Sequence, residues 1–322
     1  MKLNFSKQRL TALCLFLVPL MLCGASPSAA DEDDVFSAKE ERDDDAEVSD
    51  EFFRSFEMTD DDEALMAELS LFRWRLGDMS LFPTCDSAVT EIQRFRSELD
   101  GRAMVTAFSP EILLSARNIL AWEEYNYLYE KDIAHPALEP LIKAQYREVK
   151  KYFKAHKKEA HSKWLYTTAG DILSCCMQFL PIPTAMNEGL TIKRYYDCGV
   201  KADPDMVFCL INIAQWYFYA PVVNGGGKGK ARRALEHAVD SARNDAELYY
   251  AKVLLSQVLF EEKKFERAAA LLDEADSLLP NSRTVRNYRR INGIGHSYFD
   301  YTVNRRKIDA KLRRAGLLTD GQ

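Results

Sequence analysis

The stretch 245–280, DAELYYAKVLLSQVLFEEKKFERAAALLDEADSLLP, restricts the fold more than any other part of the chain. Leu248, Leu255 and Leu259 recur at spacings of seven and four, and Phe265, Ala268, Leu272 and Ala275 at three, four and three. Both runs keep their apolar residues on one side of a 3.6-residue period, the signature of an amphipathic helix. The charged interval 261–264 allows only a tight turn between them. Pro280 ends the second helix, because proline cannot continue it and restricts the residue before it. Leu255 and Leu272 fill the space between the two helices. Ala268 and Ala275, seven apart, let a further helix approach closely. The sequence therefore predicts a helical hairpin that needs neighbours on both sides.

The same rhythm recurs upstream. Helices are expected at 164–180 and 187–200, with Pro181-Ile182-Pro183 as a loop, and at 205–219 and 230–242 across the loop 220–228. Ala231 and Ala238 are again seven apart, Gly199 holds the place of Ala275, and Ala231 precedes Ala268 by 37 residues. Three hairpins then span 161–280. In period, small second-helix residues and terminal proline, the chain resembles the tetratricopeptide repeat family, in a bacterial exported or envelope form. Lys252, Ser256 and Leu259 depart from it, standing where the family prefers Trp, Gly and Tyr. The resemblance implies an all-α solenoid whose first helices line a concave groove for a peptide or extended chain. It places Asn212, Trp216 and Tyr219 of one repeat beside Tyr250, Val253 and Gln257 of the next. Aromatic and amide groups suit a peptide, giving apolar area and hydrogen bonds to its backbone. The four consecutive aromatics 216–219 also have a plainer reading, as packing against flanking helices.

The ends of the chain differ in charge. Lys2, Lys7 and Arg9 precede an apolar run of 13 residues, 10–22, too short for a comfortable membrane span. Ser28-Ala29-Ala30 follows with small side chains, so 1–30 reads as a secretory signal cut before Asp31. A lipid anchor on Cys23 and an uncleaved anchor are the alternatives. Each places the body outside the cytoplasm, in the periplasm or at an envelope surface, and no transmembrane segment is expected in the mature chain. Residues 31–63 hold 17 acidic and 3 basic side chains. Repulsion keeps such a segment extended, so 31–60 is expected as a disordered acidic tail. Phe52, Phe53 and Phe56 are its docking candidates.

Residues 61–160 read as a helical region. Leu65, Leu69, Phe72 and Leu76 share a face up to Gly77, and Thr84 caps a helix over 84–99. The piece 102–108 is expected to be short and extended. Ser109-Pro110-Glu111 opens the next helix with a cap, a first-turn proline and an acid. His135-Pro136 breaks the chain, and 137–160 forms a helix ending in Lys150, Lys151, Lys154, Lys157 and Lys158. After Pro280, residues 281–322 carry ten basic and three acidic side chains and are expected as a capping helix and basic tail.

Motifs for chemistry are weak. Gly225 to Lys230 lacks P-loop spacing, since Asn224 and Ala231 stand where a glycine and a hydroxyl are required. His156 and His161 are five apart and point about 140° apart on a helix. The cysteines 85, 175, 176, 198 and 209 show no metal spacing and read as small apolar side chains, with a Cys198–Cys209 bridge as the other reading. No catalytic residue, metal or cofactor is expected. The basic C-terminus lacks interleaved aromatics and export opposes nucleic acid, which leaves the acidic stretch, an acidic partner or solvent to face it. The expected function is a non-enzymatic exported scaffold that binds a protein or peptide. One alternative is an envelope component cooperating with the solute-binding protein of a TRAP-type transporter and its small-molecule ligand. The other is an envelope enzyme within 61–160, which predicts a cleft with a titratable pair.

Overall fold

The computed structural model describes residues 56–157 and 159–318. The signal-peptide reading of 1–30, and the tail reading up to residue 55, lie outside the described residues. Among the described residues, twelve α-helices pack as sequential pairs. These are α1 (Asp60–Leu76) with α2 (Cys85–Arg102), and α3 (Pro110–Lys131) with α4 (Leu138–Ala155). Next come α5 (Lys163–Cys176) with α6 (Ile182–Ala202), and α7 (Val207–Tyr219) with α8 (Lys228–Ser241). The last pairs are α9 (Asp245–Glu261) with α10 (Phe265–Leu278), and α11 (Arg283–Gly293) with α12 (Tyr298–Arg314). The odd-numbered helices stack on one another in chain order, and the even-numbered ones cover them from one side.

Local chemistry sets the ends. Thr59 opens α1 with a reciprocal capping box: its hydroxyl accepts from the Asp62 N–H, and the Asp62 carboxylate accepts from the Thr59 N–H. Asp62 also accepts from the Ser109 N–H at 2.9 Å and the Ser109 hydroxyl at 2.6 Å. Ser109 therefore does not cap its own helix as the sequence suggests; its hydroxyl ties the start of α3 to the start of α1. Glu111 repeats the device one step on, accepting from the Ser162 N–H and bonding His161 Nδ1 at 2.9 Å at the start of α5. The N-termini of α1, α3 and α5 thus share one end of the molecule. Between α9 and α10, Lys263 enters the left-handed region with φ 62°, closing the turn expected at 261–264.

Several boundaries differ from expectation. Helix α4 stops at Ala155, so Lys157 lies beyond it. Helix α6 begins at Ile182, because Pro183 falls in the first turn, where an N–H has no intrahelical acceptor. The piece 102–108 is a run of turns in which the Met104, Val105 and Thr106 amides donate back to Gly101 and Arg102. The C-terminal region holds two helices rather than one. Arg305 of α12 donates to the carbonyls of Tyr129 and Glu130, capping the C-terminus of α3. All five described cysteines are free, so Cys198 and Cys209 are not bridged. Cys209 is buried against the α6 backbone, donating to the Tyr196 carbonyl at 3.5 Å, and burial pushes its thiol up to about 12.

The array also returns on itself. Helix α1 touches α9, Asp78 pairs with Ser282 as an isolated bridge, and the Arg283 N–H donates to Gly77 O at 2.8 Å. Buried apolar residues form successive clusters, with Leu65 and Leu69 of α1 in one, Ile172 and Ile213 in the next, Val258 in a third and Val285 of α11 in a fourth. Close helix approach depends on two glycines. A Cβ at Gly170 would lie 2.5 Å from the Tyr196 ring, and one at Gly199 would lie 2.7 Å from Cys209 Sγ. Gly199→Ala should therefore cost about 1–3 kcal/mol by overpacking. Gly101→Ala, with nothing within 4 Å of its added methyl, should stabilise by about 0.4–1 kcal/mol. Urea denaturation of both variants checks this opposition of sign.

Candidate functional site

The odd-numbered helices turn polar side chains toward the molecular axis. Arg73 of α1 and Glu123 of α3 are both buried, and Arg73 Nε donates to Glu123 Oε1 at 2.5 Å. The Arg73 guanidinium lies 5.0 Å from the Trp122 ring centre, 4.2 Å from Phe208 and 5.5 Å from Tyr250. Three aromatic faces from α3, α7 and α9 thus surround one cation. Burial is the largest influence and works against the charge on Arg73, but Glu123, Tyr250 and Asp171 together outweigh it and hold the guanidinium above its ordinary value. For Glu123, burial pushes the carboxyl up against the pull of Arg73.

Asp171 of α5 lies in the same field. Tyr196 Oη and Asn212 Nδ2 both donate to its Oδ1 at 2.8 Å. Burial pushes the Asp171 carboxyl up to about 7, because hydrogen bonds and the charge of Arg73 only partly replace lost water. Beside it, Asn118 donates to Thr168 Oγ1 at 3.0 Å and accepts from Gln145 at 2.7 Å. The cluster can hold or release a proton near neutrality. Its members are otherwise engaged in joining helices.

The six residues expected to line a groove are covered rather than open. Asn212, Trp216, Val253 and Gln257 are buried, and Tyr219 and Tyr250 are largely covered. Asn212 holds Asp171, and Trp216 Nε1 donates to Gly189 O at 3.1 Å. Gln257 accepts from the Tyr298 N–H at 2.9 Å, and Tyr219 bonds Thr302. Tyr250 packs on Arg73. The structure brings Tyr250 to the Arg73 cluster and gives the others to separate helix contacts. The physical reason is that neighbouring helices cover them: α6 takes Trp216, α5 takes Asn212, and α12 takes Tyr219 and Gln257.

Open concavities lie on the other side of the inner helices. One cleft of about 590 Å³ runs between α8 and α10, with α9 beneath. Val239, Leu255, Leu259 and Leu271 form its floor. Arg232, Lys264 and Arg267 stand on its rims against Glu236, Asp240 and Glu274. A smaller cleft of about 290 Å³ lies between α2 and α4, lined by Arg96, Gln145, Arg147 and Glu148. Beneath it Arg96 pairs with Glu124 at 2.7 Å. The glycines 225–227 serve the backbone: a Cβ at Gly226 would lie 1.9 Å from Ala220 O, and Lys230 Nζ donates to Gly225 O at 2.8 Å.

Arg73, Glu123 and Asp171 were not singled out by motif reasoning. A signal was present, since each is a charge at the buried phase of a helix, Asp171 within an otherwise uncharged run, WLYTTAGDILSCC. Among the described residues, no helix is long and apolar enough to cross a membrane. Comparison of the chain with family models, with curated proteins and with solved structures finds no match.

Two predictions follow the cluster. Arg73→Met should cost about 3–5 kcal/mol, because it strands a buried carboxylate. Arg73→Met with Glu123→Leu should cost clearly less than the sum of the single changes, as a double-mutant cycle in urea would read out. Asp171 titrates with a folded value near 7 against an unfolded 3.8, so its contribution is fully present below the unfolded value and is lost as pH rises through the folded one. Between pH 6 and 8 this removes about 1.4 kcal/mol. Asp171→Asn should flatten that part of the stability–pH curve.

Proposed function

We propose that this chain is a non-enzymatic, exported, tetratricopeptide-like scaffold that binds a protein or peptide. The sequential hairpins support the reading, because such arrays present long surfaces to extended partners. The observation that carries it is the cleft between α8 and α10. An apolar floor of Leu255, Leu259 and Leu271 with rims of both signs suits an amphipathic segment, with apolar anchors below and charge pairs that fix register above. On this reading the inner-face residues, Asn212, Trp216, Tyr219, Tyr250, Val253 and Gln257, hold the array in shape, and the partner meets its outer side. The reading of residues 1–30 as a secretory signal supports an encounter in the periplasm or at an envelope surface.

The test is affinity capture by the mature chain from an envelope extract, beside the rim variant Lys264→Glu/Arg267→Glu. One retained polypeptide should fall at least about tenfold with the variant, since like charges across an interface cost several kcal/mol. Equal retention by the variant would move the site elsewhere. Turnover or tight binding of a small molecule, with no polypeptide retained, would favour the transporter-linked or enzymatic alternatives.

A further inference from the structure

Helix α4 carries a feature that neither the array nor the cleft uses. Its inner side is buried through Leu138, Ile142, Tyr146 and Val149. Along its outer side and just beyond, Arg147, Lys150, Lys151, Lys154 and Lys157 are all exposed, with Glu148 the one acid among residues 144–157. The helix dipole favours cations only within about the last turn, so it does not account for Arg147, Lys150 and Lys151. These cations recur three and four apart, where like charges repel across a helix face. A bound polyanion would relieve that repulsion.

The position of this face narrows the occupant. The α4 terminus packs on His161, whose ring lies 5.0 Å from Phe153, and His161 bonds Glu111 at the start of α3. Asp62 joins the start of α3 to the start of α1. The described chain begins at Phe56, which packs against the α1–α3 core at this same end. Immediately before it, residues 31–55 hold twelve acidic and three basic side chains. We propose that the basic face of α4 is the dock for this acidic stretch of the same chain. Neighbouring helices lie about 8–10 Å apart, so two steps separate the start of α1 from α4 by roughly 20 Å. A 25-residue stretch can extend to about 80–90 Å, so reach is ample. The inference is independent of the α8–α10 cleft.

Zero-length carbodiimide crosslinking of the mature full chain, read by peptide mass spectrometry, tests it. At low salt, carboxylates of residues 31–51 should join Lys150, Lys151, Lys154 and Lys157 within one molecule. The yield should fall at least about fivefold near 1 M salt, where the screening length drops to about 3 Å. It should fall similarly in Lys151→Glu/Lys154→Glu, both exposed positions, with an unchanged thermal melt as the check on folding. Crosslinks centred on Lys307 and Lys311, or spread evenly to include Lys228 and Lys230, would overturn the proposal. Mixed-isotope pairs from a blend of labelled and unlabelled chains would assign the face to a second copy instead. Flotation with phosphatidylglycerol vesicles through Lys151 and Lys154, without intrachain links, would assign it to a lipid surface.

Discussion

The ion pair between Arg73 and Glu123 is the point on which the array closes. It joins the first helix to the third, and through the rings of Phe208 and Tyr250 it also engages α7 and α9. A buried pair of this kind adds little net stability, since desolvation offsets most of the attraction. Its value lies in position. An apolar residue at 73 could settle anywhere along the inner surface, whereas a buried guanidinium is tolerated only where a carboxylate and aromatic faces await it. The bridge between Asp78 and Ser282 and the bond from Arg283 to Gly77 O follow from that placement.

Closure decides which surfaces remain for partners. An open hairpin array leaves its inner faces to solvent. Here their polar groups are spent on neighbouring helices, even-numbered ones included: Asp171 on Tyr196 and Asn212, Gln257 on Tyr298, Trp216 on Gly189. The outer clefts between even-numbered helices stay open, because α8 and α10 diverge over α9. Recognition and stability thereby fall on opposite sides of the same helices.

A second constraint acts at one end. Asp62 and Glu111 each accept from the start of the next odd-numbered helix, linking α1 to α3 and α3 to α5. Burial resists the ionisation of Asp62, yet the Ser109 and Thr59 donors outweigh it and hold its carboxyl below the usual range. These carboxylates do the work of caps and of tertiary joints together. They also tie the start of α5, on whose His161 the end of α4 packs, to the end of the molecule where α1 begins.

The sequence by itself determined the helices and their pairing, because periodicity, caps and turns are local. Thr84 and Pro110 mark real starts, Gly77 a real stop, and 261–264 a real turn. Of the run at 265, 268, 272 and 275, the last three are buried as the spacing requires, whereas Phe265 at the start of α10 is exposed. Ser109, Pro183 and the C-terminal region were less legible, since each depends on a partner distant in the chain or on where a turn begins. Only the tertiary structure decided that the array closes and that Asn212, Trp216 and Gln257 are buried on partners in other helices. A helix period records which residues leave water, but not whether the neighbour that covers them is the next helix or the first one returning. That choice shows where Arg73 of α1 packs on Tyr250 of α9 and the Arg283 N–H donates to Gly77 O, contacts far apart in the chain that no local pattern encodes.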